Sequence, residues 1–117
     1  MTYMLLVVEK AGERSARSEQ EGRGVYDRML SFSEDLERRG LLTMSQSLRS
    51  EALAARVTRR GEKPIVRDGP FAEAKETIGG FFLLTCDTRE QAIEIARECP
   101  ATEWATIEVR ELGPCYR

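Results

Sequence analysis

The side chains of this chain that could carry chemistry gather in the run Arg67-Asp68-Gly69-Pro70-Phe71-Ala72-Glu73-Ala74-Lys75-Glu76, followed closely by Gly79-Gly80. Asp68 stands first among them, because a carboxylate at a strand end beside a cleft can act as a general base or anchor a ligand. An aspartate before Gly-Pro can equally close an Asx-turn on its own backbone, and that account outweighs the chemical one. Glu73, Lys75 and Glu76 could set charges around a polar or anionic ligand. They could also form a solvated turn of mutual salt bridges, each worth little. Gly79 and Gly80 remove side-chain bulk, which either lets a ligand approach the backbone or opens a bulge in a strand. Arg56, Arg59, Arg60 and Arg67 could grip phosphate or carboxylate groups or a partner's acidic surface. The competing account is a charged edge that discourages sheet-to-sheet aggregation.

Composition narrows the chemistry further. The chain has no histidine, which removes the commonest general base, the commonest transition-metal ligand and every Ser-His or Cys-His nucleophile. Its three cysteines, Cys86, Cys99 and Cys115, are an odd number without C-x-x-C spacing, so neither a disulfide framework nor a metal cluster is expected. Cys86 and Cys99 read as core residues, and Trp104 and Tyr26 as packing residues. Twenty acids against 18 bases leave a formal charge of −2, which gives nucleic acid no electrostatic reason to bind. At 117 residues, 41% hydrophobic and 32% charged, the chain predicts one globular domain over 1–117. The apolar start Met1 to Val8 has no basic leader or small-residue cleavage site, and it falls far short of the roughly 18 residues a membrane span needs. It reads as a strand, and the expected compartment is the cytoplasm.

The elements that must position these residues are legible from periodicity. Tyr3 to Val8 is a first strand. Ser18-Glu19-Gln20-Glu21 is a capping box, and Val25, Met29, Phe32 and Leu36 then share one helical face up to a Gly40 C-cap. Gly22 and Gly24 weaken the first turns of that helix. Leu41 to Leu48 reads as a second strand, with Leu42, Met44 and Gln46 alternating against Thr43, Ser45 and Ser47. Glu51 to Ala55 reads as a loop or single turn. Ala55 to Arg60 and Pro64 to Arg67 form a β-hairpin around Gly61. Phe71 to Glu76 is a short charged segment, and Gly79-Gly80 launches a strand from Phe81 to Cys86 that is apolar on both faces and therefore central. Asp87-Thr88-Arg89-Glu90 is a second capping box, opening a helix whose buried face is Ala92, Ile93, Ala96 and Cys99 and which Pro100 ends. Ala105, Ile107 and Val109 share one face of a last strand.

With the hairpin set aside as an insertion, this is the βαββαβ order of ferredoxin-like α+β domains. Two helices cover one sheet face, yet both the Tyr3/Leu5/Val7 and the Met4/Leu6/Val8 sides of the first strand are apolar. At about 25 cal/mol per Å², a few hundred Å² left wet forgoes several kcal/mol. A second copy packed sheet to sheet is the simplest cover; the competing accounts are that the hairpin folds back as a lid or that one face is only modestly apolar.

Tyr3-Met4-Leu5-Leu6-Val7, the block Ile65 to Glu76, Gly79-Gly80-Phe81-Phe82-Leu83, the end of the helix at Ala92 to Pro100 and Ile107-Glu108-Val109-Arg110 together resemble the YCII-related domain, specifically its DGPF-motif branch. The resemblance spans nearly the whole chain, and the nine-residue DGPFAE-x-KE block from Asp68 to Glu76 is its most specific part. It implies a ferredoxin-like fold assembled as a dimeric α/β barrel, with a cleft between the sheet and the partner chain. Part of the wider superfamily resembles muconolactone-isomerase-like enzymes, and one branch carries a His–Asp pair proposed as catalytic. That pair cannot transfer to a chain without histidine. Some members are associated with extracytoplasmic-function sigma factors, which implies a regulatory role. Where relatives often show Gly-Gly-Glu-x-Leu, this chain has Met44-Ser45-Gln46-Ser47-Leu48, so a cleft glutamate is replaced by Gln46 or Ser47.

The leading expectation is a homodimer that binds a small polar molecule in a cleft at the sheet and dimer interface. Arg67, Glu73, Gly79 and Gly80 are the expected binding residues. If it is an enzyme, Asp68 is the general acid/base and Lys75 the electrostatic stabiliser, with neither metal nor cofactor. The rival expectation is a regulatory module, linked to sigma-factor-dependent transcription, that meets a protein partner through the arginine-bearing hairpin. A scaffold dimer whose cleft has lost activity is the third.

Overall fold

The computed structural model describes residues 2–116, so the two ends of the 1–117 domain expectation lie outside the described residues. Strand β1 (Thr2–Lys10) leads through a short 3-10 turn (Arg14–Ala16) into helix α1 (Glu19–Arg38) and strand β2 (Leu42–Ser47). A second 3-10 turn (Glu51–Leu53) precedes strands β3 (Ala55–Arg60) and β4 (Lys63–Asp68). Strand β5 (Glu76–Thr85), helix α2 (Arg89–Glu98), a third 3-10 turn (Pro100–Glu103) and strand β6 (Thr106–Glu111) complete the order. Four strands pair antiparallel in the order β2-β5-β1-β6, an α+β arrangement compatible with the ferredoxin-like fold. The two strands that are apolar on both faces take the two central places. β3 and β4 form a separate two-stranded antiparallel sheet.

Both helices lie on one face of the four-stranded sheet, α1 against β2 and α2 against β1 and β6. The period of two in β1 puts Tyr3, Leu5 and Val7 into the core they cover. There they join Phe82 and Leu84 of β5, Phe32 and Leu36 of α1, and Ala92, Ile95 and Ala96 of α2. Phe32 meets Phe82 edge to face, with ring centroids 5.2 Å apart. Cys86 and Cys99 are buried here too, and burial raises both thiols above their ordinary pKa.

Several local expectations hold. The Ser18 hydroxyl accepts from the Glu21 N–H at 3.1 Å while the Glu21 carboxylate accepts from the Ser18 N–H at 3.0 Å, so the capping box is closed both ways. Gly40 takes φ +71° just past α1, the left-handed conformation that glycine adopts without strain.

Others are corrected. The second helix is capped by Thr88, whose hydroxyl accepts from Gln91 N–H, because Asp87 lies one residue too early. Its buried face uses Ile95 with Ala92, Ala96 and Cys99, whereas Ile93 is only half-buried; the i, i+3, i+4, i+7 set fits the stripe that meets the sheet. Strand β5 begins at Glu76 and not after Gly79-Gly80. The alternation read into β2 also breaks: Leu42 pairs with Leu84 on the helix side, but Met44 pairs with Leu83 on the opposite side, with a register shift between them.

Candidate functional site

The last residue in the core-facing phase of β1 is a carboxylate. Glu9 follows Tyr3, Leu5 and Val7 on the same side of the strand and is only 8% exposed. A charge in that position requires a partner. Arg14 provides it from the 3-10 turn that the chain reaches through Gly12, whose φ is +82°. The guanidinium grips Glu9 in a fork, Nε to Oε2 at 3.0 Å and Nη2 to Oε1 at 3.0 Å. It also donates to the carbonyls of Gly79, at 2.9 Å, and Leu48.

Gly79 makes this arrangement possible. Val7 pairs with Gly80 and Val8 with Ile78, so Gly79 is the extra residue of a bulge in β5. A Cβ there would lie 1.8 Å from Glu9 Oε1 and 2.8 Å from Arg14 Nη2. Its carbonyl accepts from the Leu48 N–H as well, which ties the bulge to the end of β2. Gly80 is constrained separately, since a Cβ would come 2.8 Å from the Gln46 carbonyl oxygen.

Above this pair lies a cavity of about 360 Å³ between α1 and the sheet. It exists because three facing elements all present small residues: Gly22 and Ser33 from α1, Ser45 and Ser47 from β2, and Gly79 and Gly80 from β5. Val7, Val25, Met29, Leu30 and Phe82 give it an apolar wall, and Arg17, Tyr26 and Trp104 also line it. Ser33 and Ser45 hydroxyls bond across the gap at 2.7 Å. Trp104 carries the Arg28 guanidinium 5.3 Å and that of Arg17 5.9 Å from its ring centroid. Tyr26, expected as a packing residue, is instead 53% exposed at this cavity.

The sequence-expected residues divide. Gly79 and Gly80 line the cavity; Arg67, Asp68, Glu73 and Lys75 do not. Asp68 is exposed at the end of β4, and its carboxylate makes no hydrogen bond or ion pair among the described residues. The turn after it is held by backbone: Gly69 N–H donates to the Ala54 carbonyl at 2.7 Å, and a Cβ on Gly69 would come 2.0 Å from the Glu51 carbonyl oxygen. Phe71 is buried under Arg56, whose guanidinium carbon lies 3.9 Å from the ring centroid, and Arg67, at 5.3 Å. Glu73 accepts from Arg67 and lies 3.7 Å from Arg56. Its own N–H, together with these cations, lowers the Glu73 pKa. Lys75 is exposed, and its carbonyl accepts from Ala11 N–H at 2.9 Å.

Sequence reasoning missed Glu9, Arg14, Arg17 and Ser45. Glu9 alone left a trace, as the one charged residue in the buried phase of the first strand. Among the described residues, no helix is long and apolar enough to cross a membrane.

Comparison with known proteins adds kinship to this geometry. The model of the YCII-related domain matches residues 1–115. An uncharacterized protein of Rhizobium meliloti (strain 1021) is 31% identical over 115 residues, covering 97% of this chain and 93% of its own.

Proposed function

This chain belongs to the YCII-related domain family, and on that premise we propose that it binds a small organic molecule in the cavity between α1 and the sheet. The observation that carries the reading is the cavity of about 360 Å³ left where small residues from α1, β2 and β5 coincide. Ligand sites of roughly this size combine apolar walls with a few placed polar groups. Here the apolar wall suits a compact hydrophobic or aromatic body, and the serine hydroxyls and Arg17 suit a hydrogen-bonding head. The Asp68–Phe71 block supports placing the chain in the DGPF-motif branch.

Homodimerisation belongs to the same proposal. The face of the sheet away from the helices carries Met4, Leu6 and Val8 of β1 beside Leu83, Phe81 and Ile78 of β5. Met44 and Ile78 are 47% and 45% exposed on it. A second copy would cover this face and create an inter-subunit cleft. In an enzymatic version Asp68 would be the general acid/base and Lys75 the electrostatic stabiliser; both side chains are exposed, and neither has an ion-pair partner among the described residues.

The test uses Trp104, the only tryptophan of the chain, which lines the cavity. Anilinonaphthalene sulfonate, an apolar anion, is expected to accept energy from Trp104 in the unaltered protein. Gly22→Leu should abolish that transfer. Nothing lies within 4 Å of a Cβ at Gly22, so the leucine grows into open space and the helix gains up to about 1 kcal/mol in propensity. Probe binding that persists unchanged in this well-folded variant would remove the cavity from the proposal. Native mass spectrometry should show a dimer carrying a small molecule.

A contact role in regulation is a second reading, favoured by the β3–β4 sheet. All residues of both strands are exposed, with Val57 and Val66 at 64% and 65%. Arg60 stands directly opposite Lys63, and like charges so placed repel. An acidic protein surface would relieve that repulsion, and Arg59→Glu with Arg60→Glu should then lose a stoichiometric partner.

A further inference from the structure

A second cavity, of about 230 Å³, abuts the same Glu9–Arg14 pair and shares Gly79 with the first. Its wall is assembled from segments distant in sequence: Lys10 at the end of β1, Ser15 beside Arg14, Arg49 to Ala52, and Pro70. The Asp68–Phe71 block therefore meets a cavity here, through Pro70, as it does not at the larger site. Gly69 fixes that wall, because only a residue without a side chain can lie so close to the Glu51 carbonyl.

The lining carries three cations, Lys10, Arg14 and Arg49, and two carboxylates, Glu9 and Glu51. Arg14 and Glu9 neutralise each other in their forked pair. Lys10 and Arg49 have no ion-pair partner among the described residues. One positive charge is thus left over in a concave site, whose low-dielectric walls concentrate the field acting on an anion.

We infer that this smaller cavity binds a monoanionic carboxylate, with Arg49 and Lys10 as its charge partners and the forked Glu9–Arg14 pair as a fixed, neutral wall. Glu51 sets the charge preference. It holds the surplus to a single unit, which matches a carboxylate and opposes a dianion such as hydrogen phosphate. The inference stands apart from ligand binding in the larger cavity, since either site could be occupied without the other.

The experiment is an amide-shift titration of the intact protein by NMR, with sodium acetate and, at matched ionic strength, inorganic phosphate as probes. Acetate should move the amides of Gly12, Ser50 and Gly79 along saturable curves. Arg49→Gln should weaken acetate roughly tenfold, the value of one charge-assisted hydrogen bond. Glu51→Gln should strengthen both anions, phosphate the more. Arg49 is exposed, and thermal unfolding of its variant should match the parent. The assignment is overturned by absent or unsaturable shifts, by acetate binding that survives Arg49→Gln and Lys10→Gln unchanged, or by phosphate bound more tightly than acetate to the unaltered chain.

Discussion

Glu9, Arg14 and Gly79 depend on one another in a definite order. The carboxylate is 11% exposed at its side chain and Arg14 35%, so the carboxylate is the partner that suffers if the pair is broken. Arg14→Ala leaves it unpaired between the two cavities and is expected to cost about 3 kcal/mol in urea unfolding, the lower end for a buried ion because water can reach it from them. Gly79→Ala should cost a comparable amount while removing neither charge, because its methyl would displace the Glu9 carboxylate from its fork with Arg14. A Gly79→Ala variant as stable as the parent would refute the close approach. Three other carboxylates contribute to the acid side of the stability profile. Glu21 is held below its ordinary value of 4.5 by the Ser18 N–H and hydroxyl, Glu73 by its own N–H and Arg67, and Glu103 by Arg28. A depressed folded pKa means that the unfolded chain takes up the proton first. Their contribution is thus complete above about pH 4.5 and disappears as the pH falls through the folded values. Glu21→Gln should flatten the loss of thermal stability below that pH, and an unchanged slope would dismiss the capping carboxylate as its source.

At the scale of the elements, the molecule has two regions of different firmness. The four-stranded sheet and its helices share a continuous core, whereas β3 and β4 are exposed along their whole length. What anchors that pair is Phe71, clamped by Arg56 and Arg67, which Glu73 holds in turn. Phe71→Ala is expected to cost about 3 kcal/mol, the lower end for truncating a buried ring, since the ring is covered by two arginine side chains. The loss should be local: amide exchange should accelerate across 55–68 while the amides of β1 and β5 keep their protection. Uniform acceleration would instead make the ring part of the global core. Much of the DGPF block is thus explained by architecture, with Gly69 for backbone approach, Phe71 for burial and Glu73 for charge bridging. The aspartate remains without a structural task.

The whole molecule is lopsided. One sheet face is closed by two helices, and the other carries the half-buried Met4, Leu6, Val8, Phe81 and Leu83 beside the exposed Met44 and Ile78. If a second copy covers that face, Leu6→Glu should give monomers by sedimentation equilibrium with little change in monomer unfolding. A wild-type chain that is monomeric at high concentration would end the dimer proposal.

The sequence by itself determined the elements and their order. Capping residues, the period of two in β1 and the helical stripe of α1 are local signals, set by backbone geometry within a few residues. The doubly apolar strand from Phe81 to Cys86 also announced its central place, because a strand flanked on both edges keeps such residues away from water better than an edge strand does. Tertiary structure alone decided where the cavities are. The larger one is a gap between Gly22, Ser45 and Gly79, residues with nothing in common until folding brings them together, and no local signal reports a volume that side chains fail to fill. The same holds for the Glu9–Arg14 pair: each residue is an ordinary surface type in sequence, and a bulge in a strand some 65 positions later makes room for both.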